Sequence, residues 1–142
     1  NPGLPFGGIA KIASGGERSR FMLALKVVLA HRTQASILVF DEIDSGVGGA
    51  VASAIGERMA RLGQQQQVLA ITHSPQVASY ANRHFFVEKY EDKQKMTQTT
   101  VSILRGEQSL EEIARMLSGD QISPEARAAA SQLLDFAQKI AA

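Results

Sequence analysis

The chain has 142 residues, 44% of them hydrophobic and 20% charged, which is enough to close a core around one domain and too apolar for a disordered segment. Fifteen Lys plus Arg against fourteen Asp plus Glu leave a formal charge of +1, so no molecule-wide basic surface marks nucleic acid as a partner. Without cysteine there are no disulfides or thiolate metal sites, which fits a reducing cytosol, and no stretch reaches the ~18 consecutive apolar residues of a membrane span.

The chain opens Asn1-Pro2-Gly3 without an initiating Met and is expected to be a segment of something longer. The first dozen residues are Pro- and Gly-rich and read as a loop ending in Lys11-Ile12-Ala13, a candidate short strand. From 17 to about 31, Phe21, Leu25 and Val28 recur at helical spacing, with Met22 and Leu29 widening the stripe. The continuous apolar run 37–40 predicts a parallel strand covered on both faces, ending in Asp41-Glu42. A Gly-rich turn over 45–49 precedes a helix marked by Val51, Ile55, Met59 and Leu62. A polar Gln tract over 64–67 then leads into a second buried strand over 67–72. Strand, helix, strand predicts a right-handed parallel crossover. Ser74-Pro75 predicts a short helix to about 80, with Ser as the cap and Pro at the first helical position.

Beyond that point β-branched and aromatic residues over 84–90 and 97–104 flank a charged stretch over 91–95, the pattern of an antiparallel hairpin. Ser109-Leu110-Glu111-Glu112 reads as a capping box, opening a helix with Leu110, Ile113 and Leu117 on one side. Ser123-Pro124-Glu125 starts a last, Ala-rich helix with Leu133, Leu134, Ala137 and Ile140 on one side. The expected fold class is therefore α/β, a mostly parallel sheet covered by helices with a β-hairpin and two C-terminal helices.

Three places carry chemistry. Small residues in Ser14-Gly15-Gly16-Glu17 let backbone N–H groups approach an anion, and the positive end of the following helix points the same way. Taken alone, that turn serves equally as a helix cap. Asp41 and Glu42 stand at the carboxyl end of a strand, where open α/β sheets place ligands, and the pleat is expected to send them to opposite sides. Asp41 is then a candidate for holding Mg2+ on phosphates and Glu42 for polarising an attacking water, although acids in that position also merely solvate a loop. His73 follows the second strand onto the same edge, within reach of a phosphate oxygen or a water. His31 and His84 lack ligand-like spacing, and no zinc site is expected. No Gly-x-x-x-x-Gly-Lys-Ser/Thr loop occurs, so half of a nucleotide site is missing from these residues.

In this order the motifs resemble the later half of the ATP-binding-cassette superfamily, and their longer strings its bacterial SMC-like DNA-repair branch. Ser14-Gly15-Gly16-Glu17 is similar to the signature motif, Ile37 to Glu42 to the Walker B strand, Asp44 to Gly49 to the D-loop region and His73 to the switch histidine. The resemblance implies one lobe of an ATPase head, spanning 1–142, that hydrolyses ATP between two heads. Ser14, Gly15, Gly16, Glu17, Asp41 and Asp44 would bind nucleotide, Asp41 would act on Mg2+ through water, and Glu42 and His73 would be catalytic. It also implies an N-terminal ATPase lobe of the same protein, a second head in an ATP-dependent homodimer and DNA as partners, no membrane, and a cytoplasmic, nucleoid-associated bacterial location. Gly48 stands where many SMC-like proteins carry Asp. The rival readings are the nucleotide-binding subunit of a transporter and a non-catalytic DNA or protein interaction module.

Overall fold

The computed structural model describes residues 15–29, 37–91 and 95–141. Their elements run α1 (Gly15–Leu29), β1 (Ile37–Asp41), α2 (Gly49–Gly63), β2 (Gln67–Ile71), α3 (Pro75–Ala78), β3 (His84–Glu91), β4 (Thr97–Leu104), α4 (Glu107–Ser118) and α5 (Pro124–Ala141). The class is α/β as expected, with a parallel pair, an antiparallel pair and two closing helices. The expected loop and strand before Ser14, Ser14 itself, His31 and residues 92–94 lie outside the described residues.

β1 pairs with β2 in parallel, Ile37 opposite Gln67 through Asp41 opposite Ile71, so both strands stop at one edge. A parallel pair cannot be closed by a tight turn, and α2 supplies the crossover. Leu38 and Phe40 are buried in a cluster with Leu23, Ile43, Ile55, Met59 and Leu62. Each large side chain so removed from water contributes about 1.5–3 kcal/mol, which makes this cluster the anchor of β1 against α2. The alternation leaves Ile37 and Val39 about half exposed, so the strand is covered on one face and not on both. A continuous apolar run does not reveal whether the second cover is part of the same segment.

Two helices turn differently from their spacing. In α2 the buried residues are Ala52, Ile55, Gly56, Met59 and Leu62, while Val51 is exposed. In α1, among the side chains described, Leu23 is buried while Phe21, Met22 and Leu25 are exposed. That helix is apolar on several sides, and spacing alone could not choose among them.

Gly56 is where α2 crosses α3 most closely. A Cβ there would stand 2.5 Å from Tyr80 Cδ2 and 3.2 Å from the Gln76 carbonyl oxygen, and Tyr80 is itself buried. Gly56→Ala gains up to about 1 kcal/mol of helix propensity, but the overpacking costs about 1–3 kcal/mol. A net loss is expected as a lower denaturant midpoint at unchanged slope. A midpoint equal to or above that of the parent would contradict the close approach.

Ser74 caps α3 as expected, its Oγ accepting from Val77 N–H at 3.4 Å with Pro75 at the first helical position. The helix ends at Ala78 rather than 80, and Ser79 and Tyr80 continue as hydrogen-bonded turn. The hairpin forms in the expected place, with Phe85 opposite Ile103 and Val87 opposite Val101. These four side chains share one exposed face. On the other face the Arg115 guanidinium lies 6.0 Å from the Phe86 ring centroid, and His84 Nε2–H donates to the Ala78 carbonyl at 2.8 Å, docking the ribbon on α4 and α3.

α4 starts two residues before the expected capping box. Gly106, at a φ of 51°, turns the chain out of β4, and Leu110 N–H bonds to the Gly106 carbonyl at 3.2 Å, which places Ser109 inside the first turn. Leu117 is exposed, while Ile113 and Ala114 are buried with Ala78 and Ala130. Ser123 caps α5, its Oγ accepting from Ala126 N–H at 3.2 Å. The α4–α5 contact rests on small residues, with Leu133 and Leu134 only partly buried beside them. Arg127 bridges Glu107 and Glu111 across it.

Candidate functional site

The common edge where β1 and β2 end gathers the acids and the imidazole. Asp41 is the last residue of β1 and continues its uncovered face. Glu42 leaves the strand at a φ of 48°, the left-handed region that costs a non-glycine residue about 1–2 kcal/mol. Its backbone leaves the extended conformation of the strand here, so the bend and not the pleat sets the course of its side chain. The bend is held at both ends: Glu42 N–H donates to the Ile71 carbonyl at 3.0 Å, and the Glu42 carbonyl accepts from Ser45 N–H at 3.1 Å. Such strain persists where the surroundings over-determine it, and it concentrates at working sites.

Ile43 anchors the loop from below at 1% exposure. The chain then turns through Val47 N–H to the Asp44 carbonyl at 3.3 Å, with Gly46 at a φ of 71° where a side chain would be strained. From β2, His73 presents Nε2 3.8 Å from Glu42 Oε1; the two side chains are 87% and 63% exposed, so this is an open, facing pair and not a buried ion pair. Asp44 Oδ2 accepts from the Thr72 hydroxyl at 2.6 Å, leaving the second carboxylate oxygen to other ligands.

α1 reaches the same loop. It begins at Gly15, with Gly16 and Glu17 in its first turn, and Arg20 donates from its guanidinium to the Ser45 carbonyl at 3.4 Å. The structure thus brings Asp41, Glu42, Asp44 and His73 to one edge and ties the helix of Gly15, Gly16 and Glu17 to it. The sequence reading gives Thr72 only a place at the end of the second strand; the available signal is a hydroxyl directly beside His73.

Among the described residues, no group of three or more His, Asp or Glu side chains is assembled to hold a metal by itself. One carboxylate supplemented by phosphate oxygens and water is a donor set that Mg2+ takes, so Asp41 fits that ion. Among the described residues, no helix is long and apolar enough to cross a membrane.

Fold and edge together define the class: an SMC-type ATPase lobe fold. A solved SMC ATPase, whose dimerisation is ATP-driven and whose activation is DNA-stimulated, superposes with a TM-score of 0.57 at 18% identity, covering 84% of this chain and 70% of that one. No family model matches the chain. At the level of sequence, the relatives are DNA repair protein RecN. The chain is 48% identical to RecN of Streptomyces coelicolor over 138 residues, 97% of this chain and 24% of that protein. It is 45% identical to RecN of Xylella fastidiosa over 140 residues, 99% and 25% respectively, and 43% identical to RecN of Vibrio cholerae over 134 residues, 94% and 24%. The chain is similar to RecN along nearly its whole length, and it spans about a quarter of the length of the curated relatives it matches.

Proposed function

We propose that the chain is the C-terminal lobe of a RecN-like ATPase head, cytoplasmic and nucleoid-associated, acting in recombinational repair of DNA double-strand breaks. The observation that carries this reading is the facing pair of Glu42 and His73, one residue beyond Asp41 on the shared edge of β1 and β2. ATP is hydrolysed to ADP and phosphate. The Glu42 carboxylate orients the attacking water and takes its proton, and the His73 imidazole bonds a γ-phosphate oxygen, fixing the direction of approach. Asp41 would hold Mg2+, and bound Mg2+ would supply charge neutralisation on the phosphate oxygens. Asp44 braces the edge beside the nucleotide.

The glycine-rich start of α1 faces a different phosphate. Ser14, Gly15, Gly16 and Glu17 would bind the γ-phosphate carried by a second head, with the positive end of the helix that begins at Gly15 directed to it, so that two heads enclose ATP between them. DNA is the polymer that the paired heads act on. The half-exposed Ile37, Val39, Leu69 and Ile71 on the open side of the parallel pair support an N-terminal lobe of the same protein, bearing the phosphate loop, as their cover.

The purified 142-residue chain is expected to release no phosphate from ATP above background, and to bind a phosphate-loop lobe in an ATP-dependent manner. Phosphate release and light scattering measure the two. Glu42-dependent turnover by the segment alone, or no association with ATP present, would sink the half-site reading.

A further inference from the structure

Thr72 stands between the two groups to which chemistry has been assigned and belongs to neither. Its hydroxyl donates to Asp44 Oδ2 at 2.6 Å and accepts from Ser74 N–H at 2.9 Å. Asp44 lies two residues beyond Glu42 in one loop, and Ser74 lies one residue beyond His73 in the other. Beside the backbone bond from Glu42 N–H to the Ile71 carbonyl, this one side-chain oxygen fastens the loop carrying the carboxylate to the turn carrying the imidazole. The fastening is partly buried, while Glu42 and His73 themselves stand largely in solvent and meet only at 3.8 Å.

Their own attraction is too weak to hold them. An exposed pair at that distance is screened by water and salt, and both side chains keep most of their rotamer freedom. The Thr72–Asp44 bond is different in kind: it is short, its acceptor is a carboxylate, and Thr is stiff at χ1 because it branches at Cβ. Ser74 N–H is also the first donor before α3, so the same hydroxyl satisfies the backbone where the chain enters that helix. Ser74 Oγ turns within its own segment, to Gln76 and to Val77 N–H, and so leaves this junction to the Thr72 hydroxyl.

We infer that Thr72 is a positioning residue: its hydroxyl clasps the Asp44 loop to the Ser74 turn and thereby sets the separation of Glu42 from His73. The inference rests on the nucleotide reading above. A side chain that only filled space would be replaced by Val without consequence, because Val has the same shape without the hydroxyl. A clasp would not survive that change, yet it would survive Ser.

Two measurements test this. In the 142-residue chain, hydrogen exchange at Ser74 N–H is expected to speed up by about tenfold or more in Thr72→Val, and to stay within about twofold of the parent in Thr72→Ser, since only the first removes its acceptor. In the complete protein, Thr72→Val is expected to lose about ten- to a hundredfold in kcat, the scale of a misplacement of about 1 Å, with the KM for ATP unchanged. Thr72→Ser is expected to keep the parental kcat. Asp44→Ala should match the kcat loss of Thr72→Val, and the double variant should be no worse than either single one.

A Thr72→Val enzyme with parental kcat, alongside a Glu42→Gln enzyme that has lost turnover, overturns the clasp and leaves the nucleotide reading standing. Equal losses in Thr72→Val and Thr72→Ser overturn it as well, since the hydroxyl would then not be the cause. Parental turnover in Glu42→Gln itself overturns the reading beneath it, and the clasp falls with that reading.

Discussion

Glu42→Gln in the complete protein is expected to lower ATP turnover by about 10²–10⁴-fold while leaving the Kd for ATP within about threefold of the parent. The substitution keeps the length of the side chain and one hydrogen-bonding oxygen, and it removes the ability to take a proton. It also keeps the backbone cost constant. Glu42 sits at a φ of 48°, and Gln, unbranched at Cβ like Glu, meets the same penalty there. A loss of turnover therefore reports on chemistry and not on a displaced loop, which Glu42→Val could not separate because a branched Cβ is poorly accommodated at positive φ. A loss of this size corresponds to about 3–5 kcal/mol of barrier height. Steady-state phosphate release with an equilibrium nucleotide-binding assay decides the matter, and unchanged release would remove Glu42 from its role.

The largest expected effect on stability comes from its neighbour. Ile43 is 1% exposed and is one of the two largest fully buried side chains among the described residues. It packs in the cluster that joins β1 to α2 and lies between Glu42 and Asp44 in the chain. Ile43→Ala should cost about 2–5 kcal/mol through lost burial and the cavity left behind, a large fraction of the 5–15 kcal/mol typical of a whole domain. A fall in Tm of roughly 10 °C follows. Ile43→Val, which loses one methylene, should cost only about 0.5–1.5 kcal/mol. Circular dichroism melts of the 142-residue chain measure both. A loss below about 1 kcal/mol for Ile43→Ala would mean that the loop is not anchored from below and that its hydrogen bonds alone hold the bend at Glu42.

Much of this was readable in the residues, for identifiable reasons. The runs at 37–40 and 67–71 are short, apolar and bounded by turn formers, so the strands and their crossover were legible, as was the arrival of Asp41, Glu42 and His73 at one edge. Ser74-Pro75 and Ser123-Pro124 announced their helices because the cap is local chemistry. What depends on tertiary partners was not legible. The uncovered side of β1 and the choice of Leu23 over Phe21 in α1 are decided by which surfaces meet, and apolar residues on several sides satisfy more than one answer. The start of α4 was missed because Ser109 offers good cap chemistry, whereas the positive φ of Gly106 had already turned the chain. Thr72 escaped notice because its partner Asp44 is 28 positions away in sequence.

The hairpin has a practical outcome of its own. Its Phe85, Val87, Val101 and Ile103 present an oily ribbon to solvent, and no third strand joins the pair among the described residues. Proteins with such ribbons adhere to one another at high concentration. When handled in isolation, this segment will be more tractable dilute and cold than concentrated, and a lysine introduced at Val87 or Val101 is the natural gatekeeper against clumping.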